Sequence, residues 1–128
     1  MKTIVAGSRD FTDYELLKRQ VNYYRAHKGI ITEIVSGGAR GADMLGEQYA
    51  IEFNLPLKIF PADWDKHGRA AGPIRNRQMA DYADALIAVW DGQSRGTKNM
   101  INTMRVLGKS VFIIRSDEQT EPTQIPGI

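Results

Sequence analysis

Val35-Ser36-Gly37-Gly38-Ala39-Arg40-Gly41-Ala42-Asp43 decides how the rest of this chain is read. The apolar Ile34-Val35 before it reads as the end of a buried strand, and residues 42–53 after it read as an amphipathic helix. A strand that becomes a helix through Gly37, Gly38 and Gly41 leaves backbone N–H groups bare where the helix dipole is positive. Such a turn binds anions, and phosphate above all. Glycine permits positive φ and lets a ligand approach the backbone closely. Arg40 adds a planar, permanently charged fork suited to phosphate oxygens. A Gly-Gly turn taken alone is equally an empty strand-to-helix connection, so the rest of the chain has to decide.

Outward from that turn, strand and helix patterns alternate. Thr3-Ile4-Val5-Ala6 is an apolar run closed by Gly7, and Thr12-Asp13-Tyr14-Glu15 reads as a capping box with Thr12 as the cap. The helix it opens carries Tyr14, Leu17, Val21 and Tyr24 on one face and stops near Lys28-Gly29. Residues 30–36 form the second strand. The second helix buries Ala42, Leu45, Tyr49 and Phe53 and ends at Asn54 and Pro56. Residues 57–60 are a third strand, 61–72 a polar loop, and Pro73 to Tyr82 a helix with proline in its first turn. Residues 85–90 are the most apolar strand and belong in the interior of the sheet. Asn99 to Leu107 reads as a helix closed by Gly108, and residues 110–114 as the last strand. From Ser116, with Pro122 and Pro126, the chain reads as a loosely ordered tail.

Five strands alternating with four helices predict an α/β domain over residues 1–115, with a mainly parallel five-stranded sheet and right-handed crossovers. At 128 residues the chain suits one domain with a proper core. Seventeen basic residues are interleaved with 15 acidic ones, which argues against a general nucleic-acid or membrane-surface binder. The absence of cysteine excludes disulfides, thiolate catalysis and cysteine-based metal sites. No stretch reads as a signal peptide or a membrane span, so the expected location is the cytoplasm.

In parallel α/β sheets, ligands bind beyond the carboxyl ends of the strands. Gly7-Ser8-Arg9-Asp10 follows the first strand, and the Gly-rich turn with Arg40 and Asp43 follows the second. Asp63, Trp64, Asp65, His67 and Arg69 follow the third and lead to Arg75, Asn76 and Arg77. Asp91-Gly92-Gln93-Ser94-Arg95-Gly96-Thr97-Lys98 follows the fourth. Small, hydroxylated and basic residues thus gather on one edge of the sheet, which points to a phosphate-bearing ligand.

These segments also resemble the SLOG superfamily, the Rossmann-like group that contains the LOG phosphoribohydrolases and the DNA-processing-A proteins. Within it the chain looks closest to the small YspA-like branch of bacteria and their phages. The resemblance covers roughly residues 2–115 and rests on Gly7-Ser8-Arg9-Asp10-Phe11, residues 35–43, Gly72-Pro73-Ile74-Arg75-Asn76-Arg77 and Ser94-Arg95-Gly96-Thr97. It implies a Rossmann-like three-layer fold and a nucleotide or nucleotide-derived ligand in the cleft; any metal accompanying that ligand is expected as phosphate-bound Mg²⁺. It also implies a homo-oligomer, a dimer being favoured, to which Tyr23, Tyr24 and Tyr82 add weak support.

The expected ligand contacts follow motif by motif. Gly37, Gly38, Gly41 and Ala42, with Ala39, Arg40 and Asp43 beside them, present N–H groups and charge to a phosphate. Gly96 and Thr97, flanked by Ser94 and Arg95, do the same at the next helix start. Gly7, Ser8 and Arg9 contact the ribose or a second phosphate, and Asp91 either touches the ribose or shapes its turn. Arg75 and Arg77, two apart on a helix, do not share a face, so one of them or Asn76 reaches the ligand. Trp64 is the better candidate for stacking on a base, whereas Trp90 also suits packing.

In LOG-type enzymes a glutamate follows the Gly-Thr turn and acts with an arginine at the glycosidic bond. Here Lys98-Asn99-Met100-Ile101 follows instead, with no carboxylate to stabilise a cationic sugar. The expectation is therefore a sensor or sequestering protein. The alternative is a nucleoside 5′-monophosphate phosphoribohydrolase using Asp43, Asp63, Asp65 or Asp91, and a second alternative is single-stranded DNA binding. Nucleic acid is not the expected partner, because no basic stripe with interleaved aromatics is visible. Asp63, Asp65 and His67 are metal-ligand types in one loop, but a polar lid has the same composition.

Overall fold

The computed structural model describes residues 1–116. The reading of a loose tail therefore lies, beyond Ser116, outside the described residues. The strands are β1 (Lys2–Gly7), β2 (Glu33–Ser36), β3 (Leu57–Ile59), β4 (Ala85–Trp90) and β5 (Ser110–Arg115). The helices are α1 (Tyr14–His27), α2 (Ala42–Glu52), α3 (Trp64–His67), α4 (Ala71–Tyr82) and α5 (Arg95–Val106), with a 3₁₀ turn at Gly68–Ala70. All strand pairs are parallel, and the sheet order is β3-β2-β1-β4-β5. The chain builds outward from β1 through β2 to β3, then crosses to β4 and β5 on the other side, so the switch point lies beside β1.

Both faces of the sheet are covered. Val5, Ile34, Ile87 and Val89 face Leu17, Val21 and Tyr24 of α1 and Ala42, Tyr49 and Ala50 of α2. Ile4, Ala6, Val35, Leu86 and Ala88 face Met79 and Ala80 of α4 and Met100, Ile101 and Met104 of α5. Alternation along β1 thus feeds two cores, as expected of a strand buried on both faces. Gly46 lets α2 lie close on β1, since a Cβ there would stand 2.7 Å from Val5 Cβ.

Several sequence expectations shift. The cap of α1 is Asp13, not Thr12: its carboxylate accepts from the Leu16 N–H at 3.0 Å, so the helix starts one residue later than the capping-box reading implies. β2 begins at Glu33, because Ile30 and Thr32 pair with the chain start instead; the Met1 amino group donates to Ile30 O and the Thr32 N–H to Met1 O. On α2, Leu45 and Phe53 are only partly buried, while Asp43, Gly46 and Ala50 take the inner stripe. The polar loop of residues 61–72 folds into α3 and the 3₁₀ turn, and α4 starts at Ala71. α5 starts at Arg95, four residues before the expected start at Asn99. Tyr24 is core, and the half-buried Tyr23 and Tyr82 pack against Phe112 and Phe60. No helix among the described residues is long and apolar enough to cross a membrane.

Candidate functional site: a cleft at the switch point

A cavity of about 620 Å³ opens at the carboxyl ends of β1 and β4, within the size range of small-ligand sites. Its walls come from the loops after β1, β2, β3 and β4. Of the residues singled out in the sequence, Gly7, Ser8, Arg9, Ala39, Asp43, Trp64, Arg75, Asn76, Asp91, Ser94, Arg95, Gly96 and Thr97 line it. Gly37, Gly38, Arg40, Gly41 and Ala42 do not.

The Gly-rich turn is where expectation and structure part. Three of its N–H groups are engaged inside the protein. Gly38 N–H donates to Ser36 Oγ at 3.1 Å, Ala39 N–H to Asp43 Oδ2 at 3.3 Å, and Ala42 N–H to Ser8 O at 3.1 Å. The glycines serve close packing instead. Gly41 has φ +81°, and a Cβ on it would lie 2.3 Å from Ser8 O. A Cβ on Gly37 would lie 2.6 Å from Arg75 Nη1 and 2.7 Å from Asp43 Oδ2. Arg40 points outward, its side chain 73% exposed and 3.7 Å from Asp10 Oδ1.

The start of α5 differs. Asp91 Oδ1 accepts from the Gln93 and Ser94 N–H groups at 2.8 and 2.7 Å, and these donors, Ser94 foremost, hold its carboxyl below the usual range. That bracing sets the turn, so Asp91 shapes the loop. Trp90 Nε1 donates to Ser94 O at 3.2 Å, which fixes Trp90 as packing for the same turn. The first intrahelical bond runs from Lys98 N–H to Ser94 O. The N–H groups of Arg95, Gly96 and Thr97 therefore precede the helical ladder at its positive end. Ser94 Oγ and Thr97 Oγ1 lie 3.2 Å apart beside them.

A buried polar chain joins the two turns. Arg75 Nη1 donates to Gly37 O at 2.6 Å and Arg75 Nε to Asn76 Oδ1 at 3.1 Å. Asn76 Nδ2 donates to Gly96 O at 3.3 Å and to Asn99 Oδ1 at 3.0 Å. Arg77, on the other face of α4, pairs with Asp81. Burial pushes the Arg75 guanidinium below its ordinary value, against the pull of Asp43. Asp43 is 4% exposed; burial pushes its carboxyl up to about 6, opposed by the Ala39 N–H, Arg75 and the Gly7 N–H, and assisted by Glu47.

The mouth is cationic and aromatic. Arg9, Arg69 and Arg95 line it, are exposed, and form no ion pair with a carboxylate among the described residues. Trp64, 50% exposed, stands on α3 with the Arg9 guanidinium 6.0 Å from its ring centre. Asp63 caps α3 through Lys66 N–H, and no group of three or more metal-ligand side chains gathers among the described residues. Sequence reasoning missed Asp10, Arg69, Met79, Asn99 and Met100 as lining residues. Asp10 and Arg69 belong to loops that the sequence places at this edge but not to its assigned ligand contacts, whereas Asn99 lines the cavity from α5 and accepts from Asn76 Nδ2.

A doubly covered parallel sheet with a ligand-sized, arginine-rimmed cleft at its switch point defines a Rossmann-like α/β protein. Residues 1–67 match the family described as the YspA, cpYpsA-related SLOG family. The "Gene 61 protein" of Mycobacterium phage D29 is 31% identical over 121 residues, covering 87% of this chain and 94% of that protein. The chain belongs to the SLOG family. Its fold is also similar to the X-ray structure of DNA processing protein A (DprA) from Streptococcus pneumoniae, with a TM-score of 0.72 at 18% identity. That match covers 90% of this chain and spans half, 50%, of the other.

Proposed function

We propose that the cleft binds a nucleotide or nucleotide-derived ligand whose phosphate sits at the start of α5, and that the protein senses or sequesters this ligand in the cytoplasm. One observation carries the reading. The N–H groups of Arg95, Gly96 and Thr97 lie ahead of the helical ladder in a cleft rimmed by Arg9, Arg69 and Arg95. Positive helix ends, free donors and planar cations favour the same group, a phosphate. About three residues after the Gly-Thr turn, where a hydrolase of LOG type carries its glutamate, Lys98-Asn99-Met100-Ile101 offers no carboxylate, which supports binding over cleavage. Family resemblance supports a homodimer, testable by sedimentation.

Hydrolysis of an N-glycosidic bond is the second reading, and Asp43 favours it. Among the acidic candidates, Asp63 caps a helix and Asp91 braces a turn, but Asp43 lies buried in the cleft beside Arg75 with a raised pKa. A carboxyl so placed can exchange a proton near neutral pH.

Thermal shifts against nucleotides, nucleotide-derived signals and single-stranded oligonucleotides, with and without Mg²⁺, test the first reading. A ligand at 100 times its dissociation constant adds about 2.7 kcal/mol, a clear rise in Tm. A flat small-molecule panel would contradict the proposal, and a response to oligonucleotides alone would replace it with DNA binding. Chromatography of the positive mixtures for free base decides between binding and cleavage.

A further inference from the structure

The mouth of the cleft carries a second recognition element besides the phosphate end. Arg9, from the loop after β1, and Trp64, from α3, reach toward each other from different loops, with 6.0 Å between the guanidinium carbon and the indole centre. That spacing is too wide for direct stacking. It falls just short of the two successive contacts of about 3.5–4 Å that a flat ring between them would make. Opening the pair by about 1–2 Å would admit such a ring. The opening disturbs little, because neither α3 nor the 3₁₀ turn after it buries any residue. Gly68, at their junction, has φ +55° and open space where a Cβ would stand, so the segment is not wedged in place. Arg9 is exposed and forms no ion pair among the described residues, so no ionic tie holds it back. Both partners present π faces to whatever enters, and guanidinium and indole each stack well on a heterocycle.

We infer that Arg9 and Trp64 clamp a planar nucleobase between guanidinium and indole, so that the ligand is selected by its base as well as held by its phosphate. The inference rests on the reading of the cleft as a nucleotide site. It assigns Arg9 to the base, where the sequence pointed to ribose or a second phosphate. It also gives the half-exposed indole, whose far edge rests near Gly72 of α4, a role besides packing.

The test compares ribose 5-phosphate with the four common ribonucleoside 5′-monophosphates by calorimetry, on wild type, Trp64→Ala, Trp64→Phe and Arg9→Lys. In wild type at least one monophosphate should bind about five-fold or more tighter than ribose 5-phosphate, the lower end of base–aromatic stacking. Trp64→Ala should bring that ratio close to one, and Trp64→Phe should keep part of it. Arg9→Lys, which retains charge but loses the planar surface, should also lower the ratio. Equal affinities in wild type, or a ratio untouched by Trp64→Ala and Arg9→Lys, would overturn the clamp and leave the phosphate reading standing. Failure of all five probes to bind wild type would remove both.

Discussion

The two helix starts at the carboxyl edge of the sheet look alike in sequence and behave differently in the fold. At α2, glycines are numerous and an arginine sits among them, yet Ser8 O, Ser36 Oγ and Asp43 Oδ2 take up the N–H groups of Ala42, Gly38 and Ala39. At α5 a single glycine suffices, and the N–H groups of Arg95, Gly96 and Thr97 lie ahead of the first helical bond. Gly96 has open space around it, whereas Gly37 and Gly41 are hemmed in. Glycine density therefore marks two needs: close packing in the first turn, access to the backbone in the second. Arg75 and Asn76 tie the packed turn to the open one.

The largest effect should come from treating the two turns alike. Gly41→Ala meets both a positive φ and the Ser8 carbonyl, and should cost about 2–4 kcal/mol in urea denaturation. Gly96→Ala, with nothing within 4 Å, should change stability by under about 1 kcal/mol, in the stabilising direction. Equal losses would break the comparison.

Next in size is the pH response of the packed turn. Burial raises Asp43 from 3.8 to about 6, so the folded protein retains a proton that the unfolded chain releases near its ordinary value. That contribution to stability is complete below about pH 4 and is lost as pH rises through about 6. Denaturation at a series of pH values should show wild type losing on the order of 2–3 kcal/mol relative to Asp43→Asn over this window. A constant difference between the two proteins would contradict it.

Thr97→Val removes a hydroxyl from the open turn while keeping its shape, and should weaken phosphate-ligand binding by about 0.5–1.5 kcal/mol in calorimetry. The smallest effect belongs to Arg40→Ala. Its exposed pairing with Asp10 at 3.7 Å should contribute under about 0.5 kcal/mol to stability, and ligand affinity should stay within two-fold, about 0.4 kcal/mol. A ten-fold loss would return the phosphate to the Gly-rich turn.

The strand pattern, the parallel sheet and the clustering of four loops were legible because buried strands and turn glycines are local signals. α3 was not, since a four-residue helix that buries nothing leaves no apolar period to read. The first turn of α5 was hidden for the same reason: Arg95-Gly96-Thr97-Lys98 carries no stripe, and the periodicity starts only with Met100. Partners of the α2 N–H groups were illegible in part because Ser8 lies 34 positions from Ala42 in the chain. The same holds for Arg75 beneath Gly37, 38 positions away. Sequence pattern found the loops that meet; tertiary hydrogen bonding decided which of their donors stay available.

The most direct test follows the backbone amides themselves. In ¹H–¹⁵N spectra titrated with ribonucleoside 5′-monophosphates, the Gly96 and Thr97 amides should show the largest shifts, with those of Gly38 and Ala39 nearly still. Large shifts at Gly37, Gly38 and Gly41 with Gly96 unmoved, or no shifts at either turn, would contradict the account.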